Sequence, residues 1–276
     1  MQGIATFIPT ETKINYLNAL LRVGFDTLDF GSFVSPKAIP QMRDTAEVLA
    51  SLELASSRSR LLAIVANQRG AEQAAAYESV SYLGYPFSVS ETFQLRNTNA
   101  TIAESVERVR EIQQLCQQSG KQLVVYISMG FGNPYGDPWN AEVVIRWVET
   151  LAQEGIDIFQ LSDTIGVASP TSISYLFEQL IPRFPGLEIG AHFHTTAASW
   201  REKVEAAYSH GCRRFDGAIR GYGGCPMARD ELTGNMPMEQ LFAFFDEHDE
   251  PTGLDATAFL KAYLMAEHVF PTGGRH

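Results

Sequence analysis

Short apolar runs alternate with longer segments of helical periodicity along most of this 276-residue chain. Seven runs predict strands, at residues 25–33, 60–66, 79–90, 122–130, 156–164, 187–194 and 212–221. The segments between them repeat apolar residues three and four positions apart, as in 10–23 and 102–116, and predict helices. For the first of these helices, Thr10 is expected as the N-cap and Gly24 as the C-terminal stop. Strands that alternate with helices and are themselves apolar are typical of parallel sheets covered by helices. The chain is therefore expected to be an α/β protein.

Polar side chains at the strand ends favour a barrel over an open doubly wound sheet, which the alternation also allows. The polar residues and the loop expected at these ends are Asp29, Ser128, Asp163, His192, His194 and residues 221–225. Active sites of TIM barrels lie at this rim. We expect a TIM (β/α)8-type barrel that lacks its first strand, which would precede Gln2. Residues 1–276 would form this single domain, with a short C-terminal helical extension over about 250–276.

Composition excludes several function classes. The formal net charge of −11 argues against a surface that binds nucleic acid or an anionic membrane. Three scattered cysteines (Cys116, Cys212 and Cys225) are too few for a disulfide framework or a cysteine-type zinc site. No apolar run is long enough for a membrane span, and no secretory signal is visible. A reduced, cytoplasmic location is expected.

Two histidines in the run LEIGAHFHTT (187–196) indicate a metal site. Side chains alternate faces along a strand, so His192 and His194 share one face while Phe193 points the other way. Two such histidines could simply be satisfied by hydrogen bonds. Their position at a strand end favours a metal instead, and a His-x-His pair without cysteine suits zinc, manganese or another divalent ion.

The glycine-rich segment IRGYGGCPMARDELTGN (219–235) is a second candidate. It lacks the spacing of a phosphate-binding loop, but its glycines predict a mobile or tightly turned loop that carries Cys225. That cysteine could be an inert buried thiol, or an acid–base group at a catalytic rim. Asn235 could be a turn residue or an oxygen ligand.

The carboxylates Asp29 and Asp163 also stand at predicted strand ends. Each taken alone is more often a loop cap than a catalyst. Beside a metal they could orient the histidines or move protons.

Six stretches, in this order, make the chain resemble the 3-hydroxy-3-methylglutaryl-CoA lyases, within a wider group of metal-dependent barrel lyases and synthases. They are SFVSPKAIPQM (32–42), GNPYG (132–136), SDTIGVASP (162–170), AHFH (191–194), GYGGCP (221–226) and TGN (233–235). The GGCP sequence favours the lyases, because the synthases usually carry a Glu-Arg pair in that loop.

The resemblance implies a site for Mg²⁺ or Mn²⁺ held by His192, His194 and Asn235. The family adds an aspartate from an Arg-Asp-x-x-Gln pattern, and Met1-Gln2 stands where that pattern ends, so the arginine and aspartate are absent. We expect a misassigned start codon or a truncated clone rather than a degenerate enzyme.

The resemblance also implies that Cys225 protonates the departing enolate and that His192 shuttles protons. Asp163 and Asp29 would orient ligands and substrate, and Ser32 would contact the substrate.

Three departures concern the substrate pocket. The family commonly has an acidic residue where this chain has Thr195, Ser-Leu-Gly where it has Gln160-Leu161-Ser162, and Glu where it has Asp29. The acyl group could therefore differ from hydroxymethylglutaryl.

The expected function is metal-dependent cleavage of 3-hydroxy-3-methylglutaryl-CoA, or a close analogue, to acetyl-CoA and acetoacetate. The partner is an acyl-CoA thioester, with no nucleic acid or membrane, and a homodimer is possible. The alternatives are a related lyase or condensing enzyme acting on another hydroxyacyl or 2-keto substrate, and an inactive barrel that only binds.

Overall fold

The computed structural model describes residues 1, 4, 6–223 and 233–270. The strands are β1 (Thr27–Ser32), β2 (Arg60–Ile64), β3 (Val80–Ser88), β4 (Gln122–Ser128), β5 (Ile158–Asp163), β6 (Glu188–Thr195) and β7 (Gly234–Asn235). The helices are α1 (Thr10–Val23), α2 (Thr45–Ala50), α3 (Gln68–Ala75), α4 (Glu91–Thr98), α5 (Ile102–Ser119), α6 (Ala141–Gln153), α7 (Pro170–Arg183), α8 (Trp200–Ser209), α9 (Met238–Glu247) and α10 (Ala256–Val269).

The strands form one curled sheet, a half-barrel, in sequential order from β1 to β7. Strands β1 to β6 are parallel, as the apolar runs predict, and β7 pairs antiparallel with β6. The first six predicted strands and the α/β class are confirmed. Because the carboxyl ends of parallel strands share one edge, this topology gathers the strand-end polar residues at a single rim.

Each strand divides its side chains between two apolar layers. The concave face holds a small cluster of Leu62, Tyr82, Val124 and Ile158, against which Ile64 and Tyr126 pack. The convex face packs against the helices in the main core, for example through Leu83, Val125 and Phe159. Alternation along β5 and β6 thus directs Gln160 and His192 into the concave side.

The predicted seventh strand, 212–221, is wrong in its extent. Among the described residues it forms two isolated parallel bridges, Phe215 with Ala191 of β6 and Ala218 with Pro237, and residues Ile219–Gly221 form a 3₁₀ turn. Backbone hydrogen bonds from Ala191 to Arg214 and from Asp216 to Ala191 hold the segment beside β6. The turn includes Arg220 at a φ of 60°, and this left-handed conformation ends the extended segment.

Sequence signals at the helix ends are partly confirmed. Gly24 ends α1 in the left-handed conformation, as predicted. Thr10 is not the N-cap, because α1 begins after Pro9 and the Thr10 hydroxyl donates to Asp44 instead. Helix α4 and strand β7 are not predicted from the sequence.

The C-terminal helix α10 lies against α1. The rings of Tyr16 and Phe270 meet edge to face with their centroids 5.6 Å apart, and the amide of Asp255 donates to the carbonyl of Val23. Among the helices of the described residues, none is long and apolar enough to cross a membrane.

Candidate active site

The two histidines of β6 lie side by side on the concave face, as their spacing predicts. The centroids of the His192 and His194 rings are 5.6 Å apart. Strand β7 places Asn235 directly opposite His194 in the antiparallel register. The structure therefore brings these three predicted ligands together at the rim.

His194 is oriented by the turn that follows β5. Its Nδ1 lies 3.0 Å from the carbonyl oxygen of Asp163 and 2.8 Å from that of Thr164. Carbonyl oxygens only accept, so Nδ1 carries the proton and Nε2 offers a lone pair. Burial, together with the neighbouring His192, lowers the pKa of His194 to about 4, although the hydrogen bonds to the carbonyls of Thr164 and Asp163 oppose the shift. At neutral pH the ring is therefore uncharged.

His192 is oriented by a carboxylate from the segment beyond α8. Its Nδ1 lies 3.0 Å from Oδ2 of Asp216. The ring also meets Tyr126 edge to face, with the centroids 5.5 Å apart. A carboxylate that accepts from Nδ1 leaves Nε2 for a metal or substrate, an arrangement common behind metal-ligating histidines.

Asn235 presents its amide oxygen to the site. Its Nδ2 donates to the carbonyl of Tyr222 at 2.9 Å, and its side chain lies beside the His194 ring. Because the amide nitrogen is engaged, the oxygen is the group free to act as a ligand.

These three groups fit a divalent cation with open positions. They supply two imidazole nitrogens and one amide oxygen, each oriented by a hydrogen bond on its other polar atom. Within the part of the chain that the structure describes, no three His, Cys, Asp or Glu side chains form a metal-holding group. Among the described residues, a cation here would thus have at most two ligands of those types, together with Asn235 and with water or substrate oxygens.

Asp29 lies on the concave face of β1, where its side chain remains open to solvent. Although water reaches this exposed side chain, the protein packed around the carboxyl raises its pKa to about 7; the amino group of Met1 is the main opposing influence, while Asp216 adds to the shift and His192 opposes it. A carboxyl with this pKa can give or take a proton at neutral pH. Ser32 ends the same strand, buried, and its hydroxyl has no partner among the described residues.

Asp163 does not face the histidine pair through its carboxylate. Oδ2 accepts from the Lys203 ammonium at 2.6 Å and Oδ1 accepts from the amide of Ala168 at 3.0 Å. Burial raises the pKa of Asp163, and Lys203 offsets part of that shift. The contact of Asp163 with the site is its backbone carbonyl, which orients His194.

The predicted acid–base residue Cys225 lies outside the described residues. The chain enters that segment through Gly221 and Gly223, both at positive φ. A Cβ added at Gly223 would lie 2.9 Å from Nδ2 of Asn235, so glycine there lets the backbone of residue 223 lie close to Asn235.

Sequence reasoning missed two residues at this site. Asp216 stands inside the predicted strand 212–221, and its place near a strand end is the signal that could have indicated it. Lys203 is only 2 % exposed on α8. The sequence signal was a lysine beside Val204 and four residues before Ala207, which places its side chain on the apolar face of the helix; a lysine buried there requires a charged partner.

The depressed pKa of His194 predicts a stability that depends on pH. Between pH 4 and 6.5 the unfolded chain binds the proton that the folded protein excludes, so the free energy of unfolding rises with pH across this window. With EDTA present, we expect His194→Gln to remove up to about 3 kcal/mol of that rise. Urea denaturation of wild type and variant at pH 4.5 and 7.5 measures the rise in the free energy of unfolding in each protein. The raised pKa of Asp29 makes an opposite contribution to the pH dependence of stability, but it is present in both wild type and His194→Gln and cancels in the comparison. The same pH dependence of the free energy of unfolding in wild type and variant would contradict the prediction.

Comparison with known proteins agrees with this geometry. The HMGL-like family profile matches residues 1–265. The chain belongs to the HMGL-like family. It is 33 % identical to a hydroxymethylglutaryl-CoA lyase of Bacillus subtilis, over 97 % of this chain and 88 % of the relative.

Two further proteins are similar to this chain over most of its length. An (R)-citramalyl-CoA lyase of Chloroflexus aurantiacus is 30 % identical over 95 % of this chain and 85 % of its own. The structure of an HMG-CoA lyase from Acinetobacter baumannii, in complex with coenzyme A and 3-methylmalate, has a TM-score of 0.89 at 31 % identity. That match covers 97 % of this chain and 87 % of the other. The predicted resemblance and barrel class are confirmed.

Proposed function

We propose that this protein is a metal-dependent carbon–carbon lyase that cleaves 3-hydroxy-3-methylglutaryl-CoA, or a close analogue, to acetyl-CoA and a keto acid. The observation that carries the proposal is the pair of oriented imidazoles facing Asn235, in a chain whose relatives are named as lyases of CoA thioesters. The proposed cofactor is Mg²⁺ or Mn²⁺, held by His192, His194 and Asn235. When bound, such an ion polarises the hydroxyl and carboxylate oxygens of the substrate.

The residues of this chain would divide the remaining work. Asp29, with its pKa of about 7, or His192 takes the proton from the tertiary hydroxyl. As the C2–C3 bond breaks, its electron pair passes to the thioester enolate and the hydroxyl carbon becomes the ketone of acetoacetate. Cys225 then returns a proton to the enolate carbon and forms acetyl-CoA. The buried hydroxyl of Ser32, which has no partner among the described residues, would contact a substrate oxygen.

A related acyl group is the second candidate. Gln160 and Thr195 stand on the two strands that carry the site, where the family usually has other side chains, and the relative from Chloroflexus is named for citramalyl-CoA. The citramalyl and hydroxymethylglutaryl groups are both tertiary alcohols, so either could undergo the same bond cleavage.

Acetyl-CoA release tests the proposal. We expect Mn²⁺-dependent release of acetyl-CoA from either thioester, and the ratio of kcat/KM values decides between the two substrates. Folded, metal-loaded protein that releases acetyl-CoA from neither would contradict the lyase function.

A cysteine substitution tests the proton donor. Because general acid–base groups contribute about 10²–10⁴-fold to rate, we expect Cys225→Ser to lower kcat by at least about 100-fold. Cys116→Ser is the matched control, since that thiol is carried by α5 and is buried in the main core. Undiminished turnover by Cys225→Ser would remove the role given to Cys225.

A further inference from the structure

Gln160 and Asp216 form a connected pair behind His192. Gln160 is fully buried on β5, and its Nε2 donates to Oδ1 of Asp216 at 2.7 Å. The other carboxylate oxygen, Oδ2, accepts from Nδ1 of His192. One carboxylate thus joins a buried amide on one strand to a histidine on the next.

The backbone of β6 makes room for this pair. A Cβ at Gly190 would lie 2.1 Å from Oε1 of Gln160 and 2.9 Å from the carbonyl of Arg214. Gly190 precedes His192 by two positions and shares its face of the strand. The glycine therefore lets the Gln160 side chain lie across β6 and reach Asp216 from the concave side.

Two independent restraints fix Asp216. Its backbone amide donates to the carbonyl of Ala191 on β6, and Gln160 holds one carboxylate oxygen. With its main chain and side chain both held, the second oxygen has a defined direction, toward His192. In water a neutral imidazole carries its proton mainly on Nε2, whereas a fixed acceptor at Nδ1 favours the tautomer that carries the proton on Nδ1.

We propose that Gln160 and Asp216 are positioning residues that hold His192 with its proton on Nδ1 and the lone pair of Nε2 directed at the metal and substrate. The catalytic meaning of this arrangement rests on the proposed lyase function, whereas the tautomer itself does not. Tyr126 supports the ring from the side but offers no acceptor to Nδ1 in its edge-to-face contact.

Nitrogen NMR of the whole protein reads the tautomer directly. In ¹⁵N-histidine-labelled protein at pH 8 with EDTA, we expect His192 to show the pattern of a ring protonated at Nδ1. The resonance is assigned by its absence in His192→Gln. A wild-type ring protonated at Nε2 would overturn the proposal without any need for a folded Asp216 variant.

Substitutions then separate positioning from general structural support. Asp216→Ala is expected to move His192 to the Nε2-protonated form and to weaken Mn²⁺ binding about 10–100-fold. Gln160→Ser, which introduces the residue common in the family, should weaken Mn²⁺ binding by less, up to about 10-fold. Glu205→Ala is the matched control, because Glu205 lies beside His248, away from the site.

The outcomes distinguish this proposal from the lyase function. If Asp216→Ala keeps the Nδ1 tautomer, or binds Mn²⁺ within twofold of wild type, the positioning role is wrong. If the tautomer moves as expected but the wild type cleaves no thioester, the positioning role stands and the lyase function fails.

Discussion

Replacing Lys203 by methionine is expected to lower the free energy of unfolding by about 3–5 kcal/mol. The side chains of Lys203 and Asp163 are 2 % and 0 % exposed, and their charged atoms lie 2.6 Å apart. The ammonium also donates to the carbonyls of Gly166 and His194, each at 3.0 Å. Removing it leaves a buried carboxylate without its cation. Urea denaturation at pH 7.5 measures the loss.

Two variants make the Lys203 result interpretable. Arg201→Met on the same helix breaks an ion pair with Glu247 in which both side chains are 51 % exposed. Such surface pairs contribute at most about 1 kcal/mol, so this control should change little. The double variant Lys203→Met/Asp163→Leu removes both charges and should recover much of the stability. A Lys203→Met loss no larger than that of Arg201→Met would refute the prediction.

The same substitution has a consequence for the site. Lys203 ties the turn after β5 to the end of β6, and that turn carries the carbonyls that orient His194. The lysine and aspartate therefore support the second histidine, much as the proposed Gln160–Asp216 pair supports the first.

Replacing His194 by alanine is the second change with a large expected effect. It removes an imidazole whose Nδ1 is held by two carbonyls and whose Nε2 faces Asn235. A metal ion supplies several kcal/mol of charge stabilisation, and about 1.4 kcal/mol corresponds to each tenfold in rate. We expect kcat/KM to fall by at least about 10³-fold, together with loss of Mn²⁺ binding.

Calorimetric titration with Mn²⁺ and the acetyl-CoA assay check this expectation together. His248→Ala is the control, since that ring contacts Phe244 of α9 and Glu205 of α8 and not the candidate metal ligands. Tight Mn²⁺ binding by His194→Ala would exclude this histidine as a ligand. Retained binding with lost turnover would show that it acts on the substrate instead.

The family and the three candidate metal ligands could be named from the sequence because their signals are local. Alternating apolar runs indicate strands and helices, and the two-residue spacing of His192 and His194 places them on one face whatever the sheet around them. The short TGN stretch indicated Asn235 by resemblance, and the structure sets it opposite His194.

The supporting contacts could not be predicted, because they depend on which strands are neighbours and in what register. Gln160 and Asp216 are 56 residues apart in sequence, and Asp163 and Lys203 are 40 apart. The sequence also assigns Asp163 the same role as Asp29, yet alternation within β5 turns its carboxylate toward α8.

By itself the sequence determined the α/β class, the rim that carries the site and the groups that could bind a metal. Periodicity and residue chemistry act over a few positions, and both can be read along the chain. Only the tertiary structure decided how each imidazole is held. His192 depends on Asp216 and His194 on the turn after β5, and these partners meet only when the sheet curls and brings distant segments together.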